Sequence, residues 1–313
     1  MTVRELLRLF ETNRRRCHLI GTEAAGVVAG LDLEGRLFTV LDGQVLNRVN
    51  PEAFPGTCTR ERYINPGGDG LWPAPEGSRL GYLYATGVWR VPPGLSAARY
   101  WLTSTTADSA VMRAEIDLIN AQGIGIPTAF ERHVQVRPGK RAVTLETTEV
   151  IEYLGTTARP RETLLLAPWT LAQFDCGEGS EARFPDAGAA CVWDLYGPSA
   201  ERRQCRDGLW HSQTGGGARY QLGLSSQVTF VEFVDPGRGL TVRRTAAALA
   251  PGLEYTDLTD RPSQHEPDGA PIRFSVYSDP TWFMEIEAAG GCPQTLQPGC
   301  RLELAVTTEY RLA

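Results

Sequence analysis

The segment from Arg301 to Leu312 constrains the fold of this chain more than any other part of the sequence. Uncharged and mostly apolar side chains alternate there with charged or polar ones over the whole segment. The first set is Leu302, Leu304, Val306, Thr308, Tyr310 and Leu312, and the second is Arg301, Glu303, Thr307, Glu309 and Arg311. Because successive side chains of a strand point to opposite faces, this pattern predicts a long strand with one buried face.

Alternation of this kind recurs along most of the chain and predicts a mainly β protein. Further strands are predicted at 36–41, 81–90, 98–104, 132–137, 141–152, 163–174, 219–224, 227–234, 240–247 and 272–278. Pro-Gly turns and the Gly-Gly-Gly sequence at 215–217 separate many of them. Helical spacing of apolar residues predicts one N-terminal helix over 1–16. Weakly helical patterns occur only at 108–121 and 186–191, so a parallel α/β sheet is excluded.

Length and composition indicate one large domain. Of the 313 residues, 42% are hydrophobic, which is enough apolar material for a substantial core. No repeat, low-complexity tract or long linker marks a boundary, and large β-sandwiches often exceed 200 residues. We therefore expect a single β domain over 1–313.

Charge and targeting patterns bear on partners and location. The net charge is −6 and the basic residues are scattered, which disfavours a nucleic-acid partner. The sequence has no apolar run long enough to cross a bilayer and no secretory signal pattern at its start. We expect a cytoplasmic protein that does not bind membranes. Edge strands are compatible with either a monomer or a homodimer.

Several sequence signatures of enzymes are missing. The sequence contains no phosphate-binding Gly-Lys-Ser or Gly-Lys-Thr loop, no His-Glu-x-x-His helix and no Gly-x-Ser-x-Gly elbow. The seven cysteines form no Cys-x-x-Cys pair. We expect no metal and no cofactor.

The loop at 63–77 is the densest group of candidate binding residues. It is rich in Gly and Pro and holds Trp72 close to Glu76. Sugars bind where an aromatic face meets C–H groups and carboxylates accept hydrogen bonds from hydroxyls. The alternative is that Trp72 closes one end of the core and Glu76 caps a turn.

A second group lies at the start of the strand predicted near 132–137. Alternation puts Glu131, His133 and Gln135 on one face and Arg132 on the other. Of the four histidines, His133 is the best candidate for proton transfer, because imidazole titrates near neutral pH. A structural role for this histidine is the alternative.

Two further segments carry polar residues on one strand face. In 277–287, Phe283, Glu285 and Glu287 share a face, so the two carboxylates can serve as a base and a hydroxyl acceptor. In 166–174, Trp169 and Gln173 share a face. A solvated edge strand is the alternative for the carboxylate pair.

Taken in order, these segments resemble uncharacterised bacterial members of the galactose mutarotase-like superfamily. The resemblance rests on GGDGLWPAPEG, FERHVQV, APWTLAQF, PTWFMEIE and LQPGCRLELAVTTEYRL and spans most of residues 20–313. It implies a supersandwich of large antiparallel sheets with a carbohydrate pocket on one concave face. In aldose 1-epimerases of this superfamily, a Glu base and a His acid open the sugar ring.

The resemblance implies Glu285 as the base and His133 as the acid, acting on a small-molecule carbohydrate. Trp72, Glu76, Arg132, Trp169, Gln173 and Glu287 are the expected substrate-binding residues. The Asn-His motif of true mutarotases is not evident, and Asn47-Arg48 is followed by Val-Asn-Pro. Two alternatives stay open: a non-catalytic sugar-binding or sensing module, and a polysaccharide lyase-like enzyme using Arg132 with Tyr82 or Tyr310.

Overall fold

A computed structural model describes residues 1–59, 61–83, 91–216 and 219–313 of the chain. The helices in these ranges are α1 (Val3–Thr12) and α2 (Pro93–Ser96), with short 3-10 turns at Pro51–Ala53, Ala189–Cys191 and Ala200–Arg202. The first strands are β1 (His18–Gly21), β2 (Ala25–Gly30), β3 (Arg36–Leu41), β4 (Gln44–Val45), β5 (Asp69–Ala74), β6 (Trp101–Thr105), β7 (Ser109–Ile119), β8 (Gly125–Gly139), β9 (Ala142–Tyr153), β10 (Arg159–Pro160), β11 (Ala167–Asp175) and β12 (Glu181–Pro185). The remaining strands are β13 (Val192–Asp194), β14 (Arg203–Arg206), β15 (Leu209–Gln213), β16 (Tyr220–Leu224), β17 (Val231–Asp235), β18 (Leu240–Ala246), β19 (Leu253–Tyr255), β20 (Phe274–Asp279), β21 (Phe283–Ala289), β22 (Gly291–Pro293), β23 (Thr295–Leu296) and β24 (Arg301–Leu312).

Two large antiparallel sheets contain most of these strands, which confirms the predicted fold class. Sheet I has the order β1-β2-β3-β5-β11-β21-β20-β16-β13, with β4 paired to β3. Sheet II has the order β14-β15-β12-β17-β18-β24-β9-β8-β7-β6. Two small sheets pair β10 with β23 and β19 with β22.

The two large sheets pack face to face across an apolar core. Phe174 on β11 stacks on Phe233 of β17, with ring centroids 4.9 Å apart, and lies 6.2 Å from the ring of Tyr310 on β24. In β24 every second residue from Leu302 to Tyr310 is buried, as the alternation predicts. Sheet II therefore has one core face and one solvent face.

Sheet I differs because both of its faces are covered. In β11 all residues from Ala167 to Phe174 are buried, and in β21 all residues from Met284 to Ala289 are buried. One face of these strands packs on the core, and the other faces a cavity beneath the loops. Polar side chains on the second face are therefore removed from bulk water.

A buried cluster of charges joins the two sheets. Asp69 on β5 pairs with Arg244 on β18 and with Arg132 on β8, whose Nη2 donates to Asp69 Oδ1 at 3.1 Å. Arg132 also donates from Nη2 to Glu149 Oε1 on β9, at 2.7 Å. Thr170 Oγ1 on β11 donates to Asp69 Oδ1 at 2.7 Å. Two arginines balance two carboxylates, which satisfies charges that would otherwise be costly to bury.

Three sequence predictions differ from the structure. The weakly helical segment 108–121 is strand β7, because it pairs with β8 from Ser109 to Ile119 and buries alternate residues. At 186–191 only a 3-10 turn forms. The N-terminal helix, predicted over 1–16, begins after its Thr2–Glu5 capping box and ends at Thr12.

The strand predicted at 81–90 lies mostly outside the described residues. Its described part, 81–83, forms only isolated bridges through Tyr82. In the part of the chain that the structure describes, no helix has the length and apolar character that crossing a membrane requires.

The charge cluster generates a prediction about stability. Arg132→Met leaves Asp69 and Glu149 with one arginine between them, and we expect the free energy of unfolding to fall by about 3–5 kcal/mol. Urea denaturation measures this loss. The control Arg137→Met removes an exposed pair with Glu146 and should leave the urea midpoint near that of the wild type. An unchanged midpoint for Arg132→Met would contradict a structural role for the cluster.

Candidate functional site

The covered face of sheet I forms a cavity of about 530 Å³. Strands β5, β11, β16, β20 and β21 supply most of its lining, and the segments before and after β5, after β13, directly before β16 and between β20 and β21 supply the rest. Its lining residues are Arg48, Asn50, Tyr63, Asn65, Trp72, Glu76, Trp169, Tyr196, Arg219, Gln221, Tyr277, Asp279, Pro280, Thr281, Phe283, Glu285 and Glu287. The cavity thus combines aromatic rings with carboxylates, amides and arginines.

Three aromatic side chains form one wall. Trp72 on β5 lies directly opposite Trp169 on β11 in the strand register, and the two rings meet edge to face with centroids 5.9 Å apart. The ring of Tyr63 lies 6.1 Å from that of Trp72. Such edge-to-face contacts fix the orientation of the rings.

A buried arginine supports this wall from behind. Arg36 on β3 is fully buried and donates to Glu34 Oε2 at 2.9 Å and to Tyr63 Oη at 2.8 Å. Its guanidinium carbon lies 5.4 Å from the ring centroid of Trp72. Gly70 makes room for it, since a Cβ there would lie 2.6 Å from Arg36 Nη1.

The opposite wall contains a second aromatic group. The ring of Tyr277 lies 6.3 Å from that of Tyr196 and 5.9 Å from that of Phe283. The guanidinium of Arg219 lies 4.1 Å from the ring centroid of Tyr196, and its Nε donates to Tyr277 Oη at 3.2 Å. Tyr277 Oη in turn donates to Asp279 Oδ2 at 2.8 Å. This wall is held by stacking and by a short hydrogen-bond chain.

Two carboxyl groups lie on the floor between these walls. Glu285 and Glu287 are two residues apart on β21 and point to the same face. Gln173 Nε2 donates to Glu285 Oε1 at 2.5 Å, and Trp169 Nε1 donates to Glu287 Oε2 at 3.1 Å. Gln221 Nε2 also donates to Glu287 Oε2, at 3.2 Å. Each carboxyl group is therefore oriented by a neighbouring strand.

Burial changes the acidity of this pair. Loss of hydration raises the pKa of Glu285, although the Arg36 cation and the hydrogen bonds from Glu287 and Gln173 oppose that rise. The pKa of Glu287 is raised well above its ordinary value, first by burial and then by the negative charge of Glu285. Groups with raised pKa values in a cavity are candidates for proton transfer near neutral pH.

Two more charged groups lie at the cavity edge. Glu76 Oε1 accepts a hydrogen bond from Tyr82 Oη at 3.1 Å. Arg48 donates from Nη1 to Asp175 Oδ1 at 2.5 Å, and its guanidinium lies 4.7 Å from the ring centroid of Phe283. Both sets of contacts restrict where these side chains point.

The structure brings most of the sequence-predicted site residues together. Those that line the cavity are Trp72, Glu76, Trp169, Glu285 and Glu287. Gln173 lies beneath them and contacts Glu285.

The structure places His133 away from this group. It lies on β8 in sheet II, its side chain is 42% exposed, and its Nε2 lies 3.1 Å from Glu131 Oε2. Arg301 and Arg113 also bind Glu131 and help to lower the pKa of that carboxyl group to about 2. The expectation that His133 and Glu285 share a pocket is therefore not met, because the core separates the outer face of sheet II from the cavity. All four histidines lie among the described residues, and none lines the cavity.

Arg132 also lies outside the cavity. It points from β8 into the core and belongs to the buried charge cluster. Tyr310, considered with it as a lyase-like pair, is buried in the core, whereas Tyr82 contacts Glu76. The strand alternation correctly put Arg132 and His133 on opposite faces of β8, but neither of these faces borders the cavity.

Several lining residues were not identified from the sequence. Tyr277 and Asp279 stand in the same segment as Glu285 and at alternate positions with it. Strand alternation in the sequence could therefore have placed them on the same face. Gln221 on β16 and Arg219, which directly precedes that strand, stand two positions apart, but no chemical motif marks either residue. Tyr196 lies outside regular structure, where periodicity carries no information.

Comparisons with known proteins give a fold but no close relative. No family model matches the sequence, and no curated protein matches it. Solved structures do match over nearly the whole chain. A protein of Synechocystis sp. PCC 6803 superposes with a TM-score of 0.58 at 12% identity, covering 95% of this chain and 96% of its own.

Two further structures carry informative descriptions. A candidate aldose 1-epimerase from Escherichia coli K12 has a TM-score of 0.57 at 11% identity and covers 96% of this chain and 100% of its own. A galactose mutarotase-like protein from Lactobacillus casei ATCC 334 has a TM-score of 0.56 at 11% identity. Its match covers 95% of this chain and 100% of its own. At these identities the similarity is one of fold, and this chain therefore has the galactose mutarotase-like fold.

Proposed function

We propose that the cavity binds a small carbohydrate and that the protein is an aldose 1-epimerase-like isomerase with Glu285 as its base. One observation carries this proposal: a buried carboxyl pair lies on the floor of a cavity with aromatic walls. The fold shared with a candidate aldose 1-epimerase and with a galactose mutarotase-like protein supports it.

The cavity suits a sugar in size and in chemistry. Its volume of about 530 Å³ lies in the range of small-molecule sites. Aromatic rings such as Trp169 and Phe283 offer faces or edges to C–H groups, while Asn65, Gln221 and the carboxylates offer partners to hydroxyl groups.

Glu285 fits the role of base better than the other lining carboxylates. It is the less buried member of the pair, with 8% of its surface exposed, and it lines the cavity. The hydrogen bond from Gln173 holds its Oε1 in a fixed position on the cavity floor. The attraction of Arg36 favours its ionised form, which a base requires.

In the proposed reaction Glu285 removes the proton of the anomeric hydroxyl group of a pyranose. The C1–O5 bond breaks as the ring oxygen gains a proton, and the open-chain aldehyde forms. Rotation about C1–C2 then allows O5 to close on the other face of C1. The sugar leaves as the opposite anomer, without a cofactor.

The alternative from the sequence, a non-catalytic sugar-binding or sensing module, keeps one argument in its favour. None of the lining residues is a histidine, and the imidazole acid of the superfamily's epimerases has no direct counterpart here. A lyase-like enzyme for acidic polysaccharides is disfavoured, because Glu76, Asp279 and Glu285 would repel a polyanion. A cytoplasmic location and a monomeric or homodimeric state stay predictions of the sequence.

The base assignment is tested with Glu285→Gln. Exchange NMR of a panel of aldoses measures the rate at which each anomer converts to the other. We expect the wild type to accelerate exchange of at least one sugar. The rate with the variant should be lower by about 10²–10⁴-fold. Saturation-transfer NMR should still detect binding, because the amide keeps the shape of the site.

The control for this test is Glu303→Gln, which changes an exposed carboxylate on the outer face of sheet II. It should leave the exchange rate unchanged. Binding without accelerated exchange in the wild type would favour the sugar-binding module. If the wild type neither binds any sugar of the panel nor accelerates its exchange, the proposed function is refuted.

The aromatic wall gives a second prediction, about affinity. Phe283→Ala removes a ring that faces the cavity, and we expect the Kd of the bound sugar to rise about 2–10-fold. NMR titration measures the change. Phe230→Ala is a matched control, since Phe230 is also half-buried beneath an arginine, Arg243, but does not line the cavity. Equal effects of the two changes would show that the sugar does not contact this wall.

A further inference from the structure

We propose that Glu285 and Glu287 share one proton and act together as base and acid, with Glu287 supplying the proton that the ring oxygen receives. This inference rests on the proposed function and deepens it, because it names the acid that His133 was expected to be. It makes the carboxyl pair the whole proton-transfer apparatus of the site.

The geometry of the pair is the first argument. The two residues stand two positions apart on one face of β21, and both line the cavity. Two ionised carboxyl groups would repel one another in surroundings shielded from water, whereas a protonated acid can donate a hydrogen bond to a carboxylate beside it. The arrangement therefore favours a singly protonated pair.

The charges around the pair are the second argument. From β3, Arg36 attracts Glu285, and from β20, Asp279 repels it. The phenol of Tyr277 is uncharged, because burial and its bond to Asp279 raise its pKa. Gln173, Trp169, Gln221 and Ser275 supply neutral groups from the neighbouring strands. Arg36 is itself paired with Glu34, so the surroundings do not supply enough positive charge to ionise both carboxyl groups.

The depth of the two groups decides which one carries the proton. Glu287 is fully buried, whereas Glu285 keeps 8% of its surface exposed and lies within the attraction of Arg36. Burial disfavours a charge more strongly at the deeper position. Glu287 is thus the carboxylic acid and Glu285 the carboxylate, which are the two forms that the reaction needs.

The proton transfers balance within the pair. Glu285 takes the proton from O1, Glu287 gives its proton to O5, the C1–O5 bond breaks and the C1=O1 carbonyl forms. After rotation about C1–C2, O5 attacks C1, its proton returns to Glu287, and Glu285 returns a proton to O1. The pair keeps a single negative charge throughout, and no other reactant is needed.

The exchange rate of Glu287→Gln tests this division of labour. The amide can accept from Trp169 as the acid did, but it has no acidic proton to give. We expect the anomer exchange rate to fall about 10²–10⁴-fold while saturation-transfer NMR still reports binding. A rate equal to that of the wild type would overturn the role of Glu287 and leave Glu285 as the base. Circular dichroism of the variant confirms that it is folded.

Infrared spectroscopy tests the shared proton without relying on activity. In protein with ¹³C-labelled glutamate carboxyl groups, we expect the carbonyl band of a protonated acid to persist at neutral pH and to vanish in Glu287→Gln. In Glu285→Gln the band should titrate at lower pH than in the wild type, because the neighbouring negative charge is gone. Absence of the band from the wild type at neutral pH would overturn the proposal, whether or not the protein binds a sugar.

The pH dependence of stability provides a third test. A carboxyl group whose pKa is higher in the folded state holds its proton while the unfolded chain releases one. The wild type therefore loses stability as pH rises from the pKa of Glu287 in the unfolded chain to its pKa in the folded protein. Within that window the equilibrium constant for unfolding increases about tenfold per pH unit. Glu287→Gln lacks this dependence, so its stability relative to the wild type should increase as pH rises through that window. A stability difference independent of pH would contradict a protonated Glu287.

Discussion

The interior pairing of Asp69 with Arg132 and Arg244 is the interaction on which the arrangement of the two large sheets depends. These charges lie where water does not reach, so they must satisfy one another, and the two arginines come from sheet II while the aspartate comes from sheet I. Arg244 also donates to the carbonyl oxygen of Ile286 at 3.0 Å, and Thr170 donates to Asp69. The cluster thereby holds the central strands β5, β11 and β21 at fixed positions relative to sheet II. The same three strands carry Trp72, Trp169 and the carboxyl pair on their other face.

The chain buries carboxyl groups in two different ways on the two faces of sheet I. On the core face, Asp69 is surrounded by arginines, and their attraction lowers its pKa despite complete burial. On the cavity face, hydrogen bonds from neutral groups and the more distant Arg36 do not offset the cost of burial, so the pKa values of Glu285 and Glu287 are raised. The first arrangement fixes a charge and so stabilises structure. The second leaves a proton that can move, which is the property that acid–base chemistry requires.

Alternation in the sequence identified the fold class and a large part of the cavity. The carboxylates at 285 and 287 share a face because of their spacing, and the same reasoning paired Trp169 with Gln173; the structure has both pairs on the cavity face. Alternation also separated Arg132 from His133 correctly, but a local pattern cannot say which face of which sheet borders the cavity. That depends on strand order, and β8 belongs to sheet II although β5, β11 and β21 belong to sheet I. The strand at 108–121 was missed because pairing with β8, a tertiary contact, outweighs its weak helical pattern.

The separation of His133 from Glu285 is a consequence of the sandwich itself. A side chain on the outer face of sheet II is divided from the cavity by sheet II, the core and sheet I, and no rotamer can cross that distance. An acid for the proposed reaction must therefore come from the cavity face of sheet I or from the loops around it. Tyr277 is a poor donor there, because burial raises its pKa and its hydroxyl proton is already given to Asp279. Glu287 stands two residues from the base on the same strand, and the burial that would make a lone carboxylate unfavourable at that depth is what keeps it protonated.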